Sequence, residues 1–500
     1  MPVMSARLMG FLWRWRAGVM ALAVTVLAGW LRFANLGHPR ALVFDEVYYA
    51  RGAYSLLELG YEGKWDKDNG MFAQGDFSGL QTEGDYVVHP MVGKLLIGAG
   101  MRVAGTTPFG YRFAGAFLGT ATVLIVALLM RRIVRSTLWG GVAGVLLAVD
   151  GSHIVLSRTA ILDIFLTFFA VAGFALLWLD RWRAQRIYDA HPPTPDRPGG
   201  PRVGIRWWRL AAIVSFGLAA GVKWSGAIFA AAFLVLFVVL DAVDRRAAGY
   251  SRWLWATTWR NAVPGALVTA VVMPAVYIAQ WANWFMTDGS YGRNWAADNP
   301  GEGVTWLPES LRSLAHYHKQ MMDFHEGLST PHPWQSHPAG WIIQFRPTSF
   351  YFERADSGSC LGDSCVQAIT SVGNPLIWWG GVIALCYAIW RLIVKRDSLG
   401  MVLAAGTLAG WLPWEPYAHR TIFTFYSVAM VPFVVLTLTW ALKHLAQPDS
   451  LGGQFARLRA FAVGWFIVAV LALSAFFYPV WTAETIPEWY RRAHVWLTTW

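Results

Sequence analysis

Two adjacent carboxylates stand among aromatic residues in Phe44-Asp45-Glu46-Val47-Tyr48-Tyr49, about ten residues past the first long apolar run of the chain. A carboxylate in such a place can take the proton of an acceptor hydroxyl where lipid-borne and aqueous substrates meet. The plainer reading is a helix N-terminus at which acidic side chains complement the helix dipole. Further along, His89-Pro90-Met91-Val92-Gly93-Lys94 joins an imidazole to a cation, with Pro90 opening a helix and Lys94 one turn inside it. Lys94 either grips a phosphate or snorkels toward lipid headgroups.

Other ionisable residues fall at the same depth, at the ends of apolar runs. Arg32 closes the first run and Arg112 opens the second, each beside aromatics; Arg158 and Asp163 flank the start of the fourth. Lys223 sits in a tight turn, and His419 and Arg420 open the tenth run. Cations buried at span ends call for partners. Asp163 paired with Arg158 would be structural glue, whereas Lys223 and Arg420 have no local partner and would both be satisfied by a phosphate group. The stretch from Trp306 to Tyr351 adds His316, His318, His325, His332 and His337, the last within Ser336-His337-Pro338. A His-Glu-x-x-His pattern or compact ligand triad is missing, so hydrogen bonding and sugar stacking fit these residues better than a metal.

The elements that must position these residues are membrane spans. Of 500 residues 56% are hydrophobic and 14% charged, against roughly 25% charged in globular domains, and there are 30 Trp. In a membrane chain the net charge of +11 bears on sidedness, and nucleic acid is set aside as a partner. About eleven apolar runs are expected to span, at 17–35, 109–130, 138–156, 159–179, 209–222, 225–243, 261–281, 373–393, 400–414, 421–441 and 460–480. Met91 to Gly105 is shorter and charged, and reads as an interfacial helix.

Counting cations in alternate loops gives about 23 in six short segments on one side and about 18 spread over far more residues on the other. The positive-inside rule then puts residues 1–16 in the cytoplasm and makes 36–108, 282–372 and 481–500 extracytoplasmic. Helices 2–7 occupy 109–281 and helices 8–11 occupy 373–480. Any chemistry belongs to the outer loops. Cys360 and Cys365 lie in the second of these and can form a disulfide if it faces an oxidising compartment.

Taken in order, Arg32, Asp45-Glu46, His89-Pro90 with Gly93-Lys94, Arg112, the Ser157-Arg158 to Asp163 segment, Lys223-Trp224-Ser225-Gly226, Ser336-His337-Pro338 and Arg420 make a set. From about Arg32 to Tyr426 the chain resembles the dolichyl-phosphate-mannose–protein mannosyltransferases, in the bacterial form that uses a polyprenyl phosphate carrier. The resemblance implies an all-α polytopic GT-C glycosyltransferase of the cell membrane. It implies Asp45 and Glu46 as the catalytic acidic pair, and a donor or substrate site drawn from Arg32, His89, Lys94, Arg112, Arg158, Asp163, Lys223, His337 and Arg420. The donor implied is polyprenyl phosphate mannose, the acceptors are Ser/Thr hydroxyls of exported proteins, and the export machinery becomes a conceivable partner. No cofactor is called for, and a divalent metal has no support in the sequence. Met91 stands where the family usually has Pro, and a second outer loop of about 90 residues is too short for the MIR domain of eukaryotic members.

Elementary chemistry asks for the same parts. A sugar phosphoester already carries a good leaving group, so the reaction needs a base for the acceptor hydroxyl and cations for the departing phosphate. Asp45 is assigned as the base of a single inverting displacement, with Glu46 orienting the acceptor or pairing with an arginine. A GT-C enzyme moving another lipid-linked sugar, such as aminoarabinose to a lipid, would share these features. A transporter or flippase would carry its ionisable groups nearer mid-membrane.

Overall fold

The computed structural model describes residues 2–66, 70–447 and 454–500. Among them seven helices are long and apolar enough to cross a bilayer: Trp15–Phe33, Pro108–Ile133, Asp163–Asp189, Ser225–Ala247, Trp253–Ala279, Pro375–Lys395 and Phe455–Phe477. An eighth arises if Thr137–Ala148 and Gly151–Ser157, bent by 64° at the intervening residues, count as one span. Trp207–Val222 and Val431–Ala446 are shorter apolar helices, and Leu399–Trp411 has 13 residues. At 1.5 Å per residue that last helix reaches about 20 Å, short of the roughly 30 Å hydrocarbon layer. Each of the eleven expected runs therefore contains a helix, but three of those helices are too short to cross alone.

The run at 421–441 also departs from a simple span. Arg420 does not open a helix; an extended stretch and a 3-10 turn (Thr424–Ala429) precede Val431–Ala446. The Pro90 expectation shifts similarly, since the helix begins at Val92. Its first amides are not capped by their own N-cap side chain; Gln280 Oε1 accepts from Met91 N (2.9 Å) and Val92 N (3.0 Å).

The long loops are not wholly helical. Thr348–Ala355 and Cys365–Ser371 form an antiparallel pair, Cys360 and Cys365 are disulfide-bonded beside it, and Ile486–Pro487 from the C-terminal segment adds a third strand. Gly63–Trp65 pairs with Leu80–Gly84 in the first loop. Because His38 bonds to Ala483 O (2.8 Å) and Trp500 Nε1 donates to Gln344 O (2.9 Å), loops 36–108 and 282–372 and the C-terminal segment share one end of the bundle.

Two glycines make the close approaches that this end requires. A Cβ at Gly93 would lie 2.6 Å from Leu162 Cδ2 and 3.5 Å from Val222 Cγ1, so glycine lets the His89–Lys94 segment sit against the Asp163 and Lys223 segments. A Cβ at Gly226 would lie 2.3 Å from the carbonyl carbon of Ala219, which fixes the turn carrying Lys223.

Candidate active site

The acidic pair divides its labour. Glu46 is fully buried, and its carboxylate takes Arg112 Nε (2.8 Å) and Nη2 (2.9 Å), Val43 N (2.9 Å) and Ala160 N (2.9 Å). Arg112 spends its remaining donors on the carbonyls of Leu36, Pro39 and Ala41. The pair thus ties loop 36–43, the Pro108–Ile133 helix and the 159–161 turn into one body, and Arg112 has no hydrogen left for a ligand.

Asp45 is placed differently. It is half-buried, and among the described residues its carboxylate accepts no hydrogen bond. Phe44 before it adopts a left-handed backbone (φ 49°), a conformation that costs a bulky residue energy and must be held by its surroundings. The hold is aromatic: Phe44 stacks on Phe350 at 4.8 Å and meets Phe425 and Phe423 edge-on at 5.5 and 5.7 Å. Burial pushes the Asp45 carboxyl up to about 6, with Lys223 opposing the rise and Asp163 adding to it. Such a carboxylate is still mostly ionised at pH 7 and is a stronger base than one in water.

Lys223 and Tyr426 stand near Asp45, and His89 and His325 lie between Lys223 and Arg420. Lys223 Nζ pairs with Asp163 Oδ2 at 2.7 Å and lies 4.7 Å from the Tyr426 ring centre. Asp163 is therefore Lys223's partner, and the expected pairing with Arg158 does not occur. Arg158 instead donates to the carbonyls of Leu31, Arg32, Ala34 and Asn35, closing the open carbonyl end of the first helix. Arg32, also buried, holds Ala28 O, Ala148 O and His153 Nδ1 at the bent span. Lys94 Nζ pairs with Glu62 (2.6 Å) and donates to His89 O (2.9 Å), both carboxylate and ammonium being buried. His337 is exposed and accepts Ala339 N as a turn cap. Arg32, Lys94, Arg112 and Arg158 are thus committed within the protein and His337 stays at the surface, while Lys223 lies near both Asp45 and His89, and Arg420 near His89.

Sequence reasoning passed over what holds Arg420. His325 Nε2–H donates to Val88 O (2.8 Å), which leaves Nδ1 as an acceptor for Arg420 Nη2 at 3.3 Å. Arg420 Nε is buried without a hydrogen-bond partner, a donor left over for a ligand. With both ring nitrogens engaged, His325 has none to give a metal. The His89 ring centre lies 5.2 Å from that of His325, and burial, followed by Lys223, His325, Lys94 and Arg420, holds His89 well below its ordinary range, so it is a neutral imidazole. Glu62, Gln280 and Tyr426 also went unread; each acts through a partner distant in sequence, and no local pattern marks them.

A helical membrane bundle with short connections at one end and a carboxylate–cation cluster under folded loops at the other is the architecture of a GT-C glycosyltransferase. The S. cerevisiae protein O-mannosyltransferase Pmt1–Pmt2, solved bound to its sugar donor, has this fold, with TM-score 0.72 over 97% of this chain and 92% of that one at 13% identity. Residues 80–287 match the profile of the dolichyl-phosphate-mannose-protein mannosyltransferases, and residues 310–500 that of the C-terminal four-span region of protein O-mannosyltransferases. The polyprenol-phosphate-mannose–protein mannosyltransferase of Mycobacterium tuberculosis is 36% identical over 100% of this chain and 95% of its own length. Its namesake from Corynebacterium glutamicum is 32% identical over 95% and 92%. The chain belongs to the protein O-mannosyltransferase family.

Proposed function

We propose that this protein transfers mannose from polyprenyl phosphate mannose to Ser/Thr hydroxyls of exported proteins, at the outer face of the cell membrane. The relatives' names carry the donor and the reaction to this chain. The observation that carries the mechanism is the contrast between the adjacent carboxylates: Glu46 has every oxygen engaged, and Asp45 has both free in the field of Lys223.

In this reading the Asp45 carboxylate takes the acceptor hydroxyl proton as that oxygen bonds to mannose C1. The C1–O bond to phosphate breaks, and its electron pair leaves on the phosphate. Arg420 meets the growing charge with its free donors, and Lys223, screened by Asp163, adds positive potential. Neutral His89 is placed to bond a sugar hydroxyl. One base and one leaving group on opposite sides of C1 give inversion. Glu46 and Arg112 keep Asp45 in place without touching substrate.

Membranes holding the protein, incubated with radiolabelled polyprenyl phosphate mannose and a Ser/Thr-rich peptide, should label the peptide. Label appearing only in lipid, or only with a different sugar donor, would point to another GT-C activity.

A further inference from the structure

We propose that a basic cavity at the end of the bundle opposite Asp45 binds the phosphate headgroup of an anionic phospholipid. The cavity measures about 840 Å³ and is lined by Arg16, Arg131, Arg132, Arg135 and Arg186, with Asp189 as its one carboxylate. It lies where Trp15–Phe33, Pro108–Ile133, Thr137–Ala148 and Asp163–Asp189 end on the side away from the long loops. Arg135 takes a left-handed backbone (φ 52°) in the turn after Pro108–Ile133, so that it joins Arg131 and Arg132 from the end of that helix at the opening, where Arg16 and Arg186 arrive on two other helices.

What sets these arginines apart is how they are satisfied. Nearby, Arg181 pairs with Asp244 at 2.8 Å, Arg206 with Asp241 at 2.8 Å, and Arg209 with Asp241 at 2.6 Å. Among the described residues Arg131, Arg132, Arg135 and Arg186 have no ion pair. Arg132 lies 4.2 Å over the Trp182 ring, and Arg131 Nε reaches only the Thr137 hydroxyl at 3.4 Å. Guanidinium groups gathered round one opening repel each other unless an anion joins them, and their planar forks suit phosphate oxygens. The rim argues that this anion arrives with a lipid. Leu138 lines the opening and is 67% exposed, and Trp15, next to Arg16, is 55% exposed. An apolar rim on spanning helices can seat acyl chains while the phosphate enters the cavity.

The test uses the full chain in nanodiscs. Wild-type protein in zwitterionic lipid, titrated with phosphatidylglycerol and followed by native mass spectrometry, should bind a small fixed number of anionic lipids saturably. Replacing Arg132, Arg135 and Arg186 together by Gln should weaken that binding roughly tenfold or more. Arg197→Gln with Arg202→Gln, which removes two exposed cations from the loop between helices at the same end, should leave it unchanged. Unaltered mannose transfer and thermal unfolding in zwitterionic discs would show that the triple variant is folded. Equal lipid retention by the triple variant, equal loss in the loop control, or unsaturable uptake by wild type would each overturn the proposal. So would competition by inorganic pyrophosphate as strong as that by phosphatidylglycerol, which would mark a site for soluble phosphates.

Discussion

Glu46 and Arg112 form a two-pronged ion pair, with Nε to Oε1 at 2.8 Å and Nη2 to Oε2 at 2.9 Å, and neither side chain reaches solvent. The residue one position earlier, Asp45, makes no such bond. Neighbours of the same charge are therefore separated into a bonded strut and an unbonded carboxylate by the direction each side chain takes. Breaking the pair from one side leaves an unmatched buried charge, a loss of about 3–5 kcal/mol. Arg112→Ala and Glu46→Ala should accordingly lower the thermal unfolding temperature as well as activity.

Asp45→Asn should do the opposite. The amide keeps the shape but cannot accept the proton, so transfer should fall on the order of 10²- to 10⁴-fold with donor binding and unfolding temperature preserved. Turnover close to that of wild type would pass the base role to another group.

The pH profile follows from the Asp45 environment. A base works when ionised, so activity should fall as pH drops through about 6, where the buried carboxyl takes up its proton. Lys223 favours the ionised form and Asp163 opposes it, so Lys223→Gln removes the favourable charge and leaves Asp163 unmatched. The acid limb of the rate profile should then move to higher pH; a limb that stays or moves down would separate it from Asp45.

Arg420→Ala should weaken donor binding and slow transfer, because the phosphate gains charge as mannose leaves. Arg420→Lys should restore part of both, since it keeps the charge and loses the fork. Circular dichroism serves as the folding control. Wild-type behaviour in Arg420→Ala would make the residue an interfacial anchor.

His325 can be tested by exchange of shape. Gln can donate to Val88 O and accept from Arg420 as the imidazole does, whereas Leu can do neither. His325→Leu should raise the donor KM about tenfold, the scale of a hydrogen bond to a charged group, and His325→Gln much less. A change confined to stability in both variants would reduce His325 to a packing residue.

Sidedness is checked by a single cysteine. Gln74→Cys in a Cys386→Ser background should react with a membrane-impermeant maleimide in intact cells, the outcome that the cation count in alternate loops predicts. Labelling only after lysis would reverse the orientation.

What the sequence settled alone follows from properties that do not depend on distant contacts. Apolar runs are helical because lipid offers backbone groups no other partner, so the helices at 109–130 or 159–179 were legible from composition. The Asp45-Glu46 and His89–Lys94 motifs were legible because each is a short local string, and it was their order along the chain that led to the family. Which of the charged residues remain open to a ligand was not legible. Arg112 and Arg420 look alike in sequence, each a cation at a span end among aromatics. One is consumed by Glu46 and three carbonyls, and the other is left with a bare Nε. The same holds for Lys94 against Glu62 and for Lys223 against Asp163, pairs separated by 32 and 60 residues. Burial forces a charge to find whatever partner the packing brings near, and that partner is fixed by the bundle and its loops.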